Sequence, residues 1–235
     1  MRYLFFIATD PEPDPDPVEP SPVQWVEEMT ARSLRVDGER VHNPDQTITV
    51  RRRGGELLVT DGPFAETKEW MAGFDVMECP SLDVAIEAAS KHPMAHNGRI
   101  EIRPFFPEDP AVPSVFHALP WPHHEGLYVM LLSTDALAEP YRAEEDTVAK
   151  WVADMDRQGT LLIGQLLRPV EDATLVRVRR GKLLVTDGPF AETKEWITGF
   201  GILACRNRNE AVEVASSHPA ARFGRVELRR LWPFV

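Results

Sequence analysis

Apolar residues along this chain fall into two recurring rhythms, and the whole series of rhythms occurs twice. Arg2 to Ala8 is a short, aromatic-rich apolar run, which predicts a strand; Leu127 to Leu132 reads the same way. Next, Pro22, Trp25, Val26 and Met29 recur at helical spacing, with Ser21 as N-cap, Pro22 at the first helical position and Gln24 completing a capping box. Val148, Trp151, Val152 and Met155 repeat that stripe, and Gly159 stops it. Thr47 to Arg53 and Glu56 to Thr60, joined by Gly54-Gly55, predict a hairpin, as do Thr174 to Arg179 and Lys182 to Thr186 about Arg180-Gly181. Gly73 to Cys79 and Gly199 to Cys205 read as further strands. A second helix runs from Leu82 to about Lys91, its copy opening on the pair Asn207 and Glu210, and Pro93 and Pro219 end these helices. Each cycle closes on a cleanly alternating strand, in which Ile100 and Ile102 share one face and Arg99, Glu101 and Arg103 the other.

The repetition extends to the residues themselves. The 14 residues Leu57 to Trp70 recur unchanged as Leu183 to Trp196, and Asp61 returns 126 positions later as Asp187. Around this block Trp25 matches Trp151, Cys79 matches Cys205, and His92-Pro93 matches His218-Pro219. Two helices and an antiparallel sheet per copy give an α+β fold of ferredoxin-like, split βαβ type. The expected organisation is a first domain over residues 1–106, a stiff proline-rich linker over 107–125 and a second domain over 126–235. Pro11 to Pro22 reads as an extended acidic loop.

A net charge of −11 argues against a nucleic-acid partner and an anionic membrane surface. No apolar run approaches a membrane span, and the expected location is cytoplasmic. The only two cysteines, Cys79 and Cys205, occupy one repeated position and read as buried apolar residues. His123-His124-Glu125 lies in the linker without an ordered partner, and there is no phosphate-binding or dinucleotide fingerprint, so no metal or cofactor is expected.

Candidate chemistry gathers in two places. By alternation Arg51 and Arg53 share a strand face, as do Arg177 and Arg179, Glu101 and Arg103, and Glu227 and Arg229. If the isoleucines meet the helices, this charged set looks the other way. It forms either solvated cross-strand pairs or the lining of a cleft for an anionic small molecule. The second place is the repeated block, where Asp61, Glu66 and Lys68, with Asp187, Glu192 and Lys194, crowd ionisable groups into one short turn. A carboxylate beside a lysine can do acid–base work where burial tunes it; the same turn also serves simply to place the next strand.

At LVTDGPFAETKE, followed by a GF-containing strand and a GRVELR ending, the chain resembles the YCII-related (DGPF) domain family, once per half. The resemblance implies ferredoxin-like domains that pair into a dimeric α/β barrel, here supplied by one chain as an internal pseudo-dimer. Family members are mostly of unknown activity. Some carry a His-Asp pair, and many resemble companions of extracytoplasmic-function sigma factors. Asp61 and Asp187 match the motif aspartate, but His42 faces Arg168, so no histidine precedes the motif in both copies. His92 and His218, shared by the copies, read as caps of a helix C-terminus. Three functions follow as expectations. One is binding of a small polar metabolite in a pocket between the repeats, lined by Arg51, Arg53, Glu66, Lys68, Arg103, Arg177, Arg179, Glu192, Lys194 and Arg229. Another is an isomerase, lyase or hydrolase using Asp61 and Asp187 as acid and base. The third is an interaction module for a sigma factor. Further self-association is left open.

Overall fold

The structure is a computed structural model and describes residues 1–10, 21–62, 70–106, 115–116, 126–135, 145–188 and 195–232. Its elements run β1 (Arg2–Thr9), α1 (Pro22–Ala31), β2 (Arg35–Val41), β3 (Ile48–Arg53), β4 (Glu56–Asp61), β5 (Met71–Glu78), α2 (Leu82–Ser90), α3 (Pro93–Asn97) and β6 (Gly98–Pro104). After the two-residue β7 (Val115–Phe116) come β8 (Leu127–Asp135), α4 (Glu145–Arg157), β9 (Leu161–Leu166), β10 (Thr174–Arg179), β11 (Lys182–Asp187), β12 (Glu195–Ala204), α5 (Arg208–Ser217), α6 (Ala220–Phe223) and β13 (Gly224–Trp232). The fold is α+β, with mostly antiparallel strand pairing.

The chain forms two compact units, and they do not follow the order of the repeats. The first unit comprises Met1–Arg40, Thr67–Phe105 and Arg168–Glu192; the second comprises Val41–Glu66, Phe106–Leu167 and Thr193–Val235. Each unit therefore contains the hairpin of the other repeat. In the first unit the strand order is β11-β10-β6-β1-β5-β2, with β10 of the second repeat bonded to β6 through Thr174↔Ile102, Leu175↔Glu101 and Val176↔Ile100. In the second unit it is β4-β3-β13-β8-β12-β9-β7, with β3 of the first repeat bonded to β13 through Ile48↔Leu228 and Val50↔Val226.

The exchange is sealed by burial. On the helix side of the first sheet Tyr3, Phe5, Ile7, Met77, Ile100 and Ile102 meet Trp25 and Met29 of α1 and Ala85, Ala88 and Ala89 of α2, and Val176 and Val178 complete this core. In the second unit Val50 fills the place of Val176, and Ile48, which matches Thr174, joins it beside Trp151, Val214, Val226 and Leu228. A hairpin removed from either unit would open a core that its own repeat does not otherwise fill. Each hairpin turns tightly, because Gly54 and Gly55, and Arg180 and Gly181, all hold positive φ.

Local signals place most elements as expected. Ser21 Oγ caps α1 by accepting from Gln24 N, and Asn207 Oδ1 caps α5 by accepting from Glu210 N. Two departures matter for the site. The segments of β2 and β9 are strands that the hydropathy pattern did not reveal, since RVDGERV is too polar to alternate cleanly. Pro93 and Pro219 do end α2 and α5, and a further short helix follows each proline. His92 Nδ1 accepts from Met94 N, and His218 Nδ1 from Ala220 N, each at 3.0 Å. His92 thus caps the start of α3, whereas His218 is the C-cap of α5 and its ring accepts from the first residue of α6; burial favours both because a neutral ring can accept at Nδ1.

Candidate functional site

The face of each sheet turned away from the helices carries the charge. On β6, Ile100 and Ile102 are fully buried toward the helices, so alternation turns Arg99, Glu101 and Arg103 the other way. Those three are also withdrawn from water: Glu101 is 6 % and Arg103 2 % exposed. On β6, then, the Glu/Arg pair is buried rather than solvated, while Arg51 and Arg177 of the same set stay partly exposed. The cost of burying these charges is offset by pairing. Arg103 Nη1 donates to Glu101 Oε1 at 3.2 Å and Nη2 to the Arg168 carbonyl at 2.9 Å. In the second unit Arg229 Nε donates to Glu227 Oε1 at 2.5 Å.

A second cluster closes this face at the end of β1. Asp10, whose side chain is almost fully buried, takes Arg179 Nη2 on Oδ2 at 2.8 Å, and Arg177 Nη1 and Arg99 Nη2 approach it at 3.7 and 3.8 Å. Burial pulls the Arg99 guanidinium below its usual range, against the opposing charge of Asp10. Arg179 is committed to structure: its Nη1 also donates to the carbonyls of Ala95, His96 and Val178, and its Nη2 to that of Gly98, which ties the hairpin to α3. Arg53 does the same in the second unit, reaching the carbonyls of Arg222 at 2.7 Å and Gly224 at 3.5 Å. Arg177 is different. It lies on the charged face, a third of its side chain is exposed, and it faces Asp10 at 3.7 Å. Arg51 holds the matching place on β3, half-buried.

The motif aspartates end the outer strands of the exchanged hairpins. Asp61 pairs in register with Ile48, and Asp187 with Thr174, both helix-side positions. Within a unit the aspartate and the arginines of one hairpin therefore look to opposite faces. Asp61 is exposed and forms an ion pair with Arg208 at the start of α5. Asp187 is exposed as well, and position 82, which matches Arg208 in the first repeat, is Leu82. Glu66, Lys68, Glu192 and Lys194 lie outside the described residues, as does most of the proline-rich loop and linker. The thiols are buried; burial pushes Cys79 up and Cys205 up to about 12, so neither is poised as a nucleophile. Among the described residues no three His, Cys, Asp or Glu side chains group as metal ligands, and no helix is long and apolar enough to cross a membrane.

One cluster in the first unit was not foreseen. Asp75 sits on the helix side of β5, opposite Phe5 and Gly38, and is 3 % exposed. Arg35 Nε donates to its Oδ1 at 2.6 Å, and Arg35 Nη2 to the Gly38 carbonyl at 2.6 Å. His92 Nε2 lies 3.7 Å from Asp75 Oδ2, and the ring meets Trp25 edge-on at 4.5 Å between centroids. Burial raises Asp75 to about 6, with Arg35 opposing, and lowers His92 to about 3. Only glycine fits at 38, because a Cβ there would meet Asp75 Oδ1 and come within 2.5 Å of Arg35 Nη2. A signal was present in the sequence: GFDVM places an aspartate inside an otherwise apolar strand where the second copy, GFGIL, has Gly201.

Comparison with known proteins agrees with the duplication. The model of the YCII-related domain matches twice, over residues 1–109 and 127–235. An uncharacterised protein of Rhizobium meliloti (strain 1021) is 47% identical over 58 residues, which are 24% of this chain and 47% of that protein. The chain thus spans about half the length of the curated relative it matches.

Proposed function

The chain belongs, with both of its halves, to the YCII-related domain family, and we propose that it binds a small polar metabolite bearing a carboxylate or phosphate on the charged sheet faces. The ferredoxin-like reading of each unit is supported by the order β6-β1-β5-β2 and its counterpart β13-β8-β12-β9. The dimeric α/β barrel implied by the family is part of the same proposal. The observation that carries it is Arg177. A partly exposed guanidinium, beside a buried Asp10 and on the face that bears Arg99, Glu101 and Arg103, has donors to offer an oxyanion, and its planar fork suits one. In the first unit Arg103 lies on the same charged face as Arg177, with Arg179 holding the hairpin; in the second, taken by itself, Arg51 and Arg229 occupy the matching positions, with Arg53 holding the hairpin. Acid–base chemistry at Asp61 and Asp187 has less support, since both carboxylates lie in water rather than in an apolar pocket.

A thermal-shift titration of the full chain with small carboxylates and phosphates tests this. A ligand held at about 100 times its Kd should add about 2.7 kcal/mol of stability. Arg177→Gln should remove most of that gain while the unliganded protein melts as before. Stabilisation by no anion in the panel, or stabilisation that Arg177→Gln leaves intact, would count against the reading.

A further inference from the structure

We propose that Lys182 decides which anion this chain binds and on which of its two units: together with Arg177 it makes the first unit's charged face a site for a small dicarboxylate, one per chain. The inference rests on the anion reading above and assigns its ligand class. The register of the second repeat's hairpin sets Arg177 opposite Leu184 and Arg179 opposite Lys182, so Lys182, Leu184 and Thr186 share the face that carries Arg177. Leu175, on that same face, stands opposite Glu101, which identifies it as the charged side of the sheet. Lys182 is therefore the diagonal neighbour of Arg177, at about 7–8 Å and within reach of two long side chains. Lys182 is exposed, and Leu184, the neighbour of both cations on this face, is 40 % exposed. Two cations beside an exposed isobutyl group suit two carboxylates joined by a short apolar spacer.

The second unit, taken by itself, carries the same face with one charge reversed. There Arg51 stands opposite Leu58 and Arg53 opposite Glu56, with Thr49 opposite Glu227. Arg177, Arg179, Leu184 and Thr186 return as Arg51, Arg53, Leu58 and Thr60, whereas Lys182 returns as Glu56. The other difference between the two hairpin faces, Leu175 against Thr49, involves no charge, and Thr49 Oγ1 is engaged by the Gly62 carbonyl at 3.1 Å. In the second unit a carboxylate of the protein thus stands where a ligand carboxylate would have to lie. Folding alone favours that glutamate. It sets opposite charges across the ladder at Arg53, while Lys182 sets like charges across from Arg179. The adjoining turn shows the same bias, since Arg180 holds a φ of 51° where the first repeat has Gly54. A lysine that the ladder disfavours is accounted for by an anion that it meets.

Calorimetric titration of the full chain at low ionic strength, with succinate and butyrate as probes, tests the assignment. The wild type should bind one succinate per chain, and bind it more tightly than butyrate. Reversing one charge about 7 Å from a ligand carboxylate, through water, changes affinity about tenfold for each negative charge on the ligand. Lys182→Glu should therefore weaken butyrate about tenfold and succinate about a hundredfold, and added salt should shrink both losses. The same variant gives Arg179 an opposite charge across the ladder and should melt no lower than the wild type, so the loss is not one of folding. Glu56→Lys should add a second succinate per chain, on the second unit. Two succinates per wild-type chain, or equal losses for the two probes in Lys182→Glu, would overturn the assignment. Binding that Arg177→Gln abolishes and Lys182→Glu leaves unchanged would overturn it too, while the anion face itself would stand. Binding of neither probe, or binding that neither variant alters, would remove the anion reading along with it.

Discussion

In the first unit Arg35, Asp75 and His92 meet behind β5; in the second the matching positions hold Leu161, Gly201 and His218. The backbone around them is shared. Gly38 and Gly164 keep corresponding places, and in each the side chain three residues earlier folds across the missing Cβ: Arg35 in one unit, Leu161 in the other, whose Cδ2 would lie 2.9 Å from a Cβ on residue 164. His92 and His218 accept alike at Nδ1 from the short helix that follows and meet Trp25 and Trp151 at the same 4.5 Å and 78°. One architecture thus tolerates either a buried ion pair or a methyl-filled gap at the same place. The comparison illustrates that a buried ion pair is replaceable as a pair, whereas half of one is costly to leave behind.

The largest effect should come from breaking that pair on one side. Arg35→Leu leaves Asp75 buried without its counter-ion and should cost about 3–5 kcal/mol. Adding Asp75→Gly recreates the arrangement of the second unit and should recover most of the loss. Chemical denaturation of the two single variants and the double variant measures the coupling. A double variant no more stable than Arg35→Leu would remove the claim that the two solutions are interchangeable.

Next in size is acid response. Asp75 is raised to about 6 from 3.8, so the folded form holds its proton more tightly, and this contribution is lost as pH rises through about 6. His92 is lowered to about 3 from 6.5, so its contribution is present above 6.5 and lost as pH falls toward 3. In the first unit the two slopes oppose each other between about pH 4 and 6. In the second, His218 is lowered to about 4 by burial, and Gly201 supplies no carboxylate to oppose it. Acidification from pH 6.5 to 4 should therefore cost the second unit about 3 kcal/mol, at about 1.4 kcal/mol per pKa unit, and the first unit far less. Amide exchange resolved along the chain distinguishes them: protection should fall first in β8, β12 and α5. Asp75→Asn should make the first unit follow the second.

The exchanged hairpins give a smaller and more pointed test. Val176→Ala lies in the second repeat but trims the core of the first unit, and should cost about 2 kcal/mol. Lost protection should appear in α2, α3 and β6. Lost protection in α5 and β13 instead would contradict the exchange. The smallest effect belongs to the motif aspartates. Asp61→Asn gives up an exposed ion pair with Arg208 and should change stability by less than about 1 kcal/mol, and Asp187→Asn by less still.

Much of this was legible in the chain. The repeat, the helix at Pro22, the hairpins and the inward set of Ile100 and Ile102 follow from period and turn chemistry, which are local. β2 was not legible, because RVDGERV is too polar to alternate cleanly, and β9 was not, because LLIGQL opens on three apolar residues in a row and gives no period of two. The charged face was legible as a face, yet its burial was not, since Arg99, Glu101 and Arg103 look in sequence like any solvated set. Asp75 and Arg35 stand 40 residues apart, and only the bulged pairing of β2 with β5 brings them together.

Sequence alone determined that there are two like α+β copies, where their helices begin and which residues of each strand share a side, because capping, turn geometry and alternation act between near neighbours along the chain. Which repeat completes which core was a tertiary decision. The two hairpins share their turn geometry, an outer strand identical but for Glu56 and Lys182, and a core-facing valine, Val50 or Val176, so signals between near neighbours do not say whether a hairpin stays with its own repeat or exchanges. The choice is made only when β10 finds β6 and β3 finds β13.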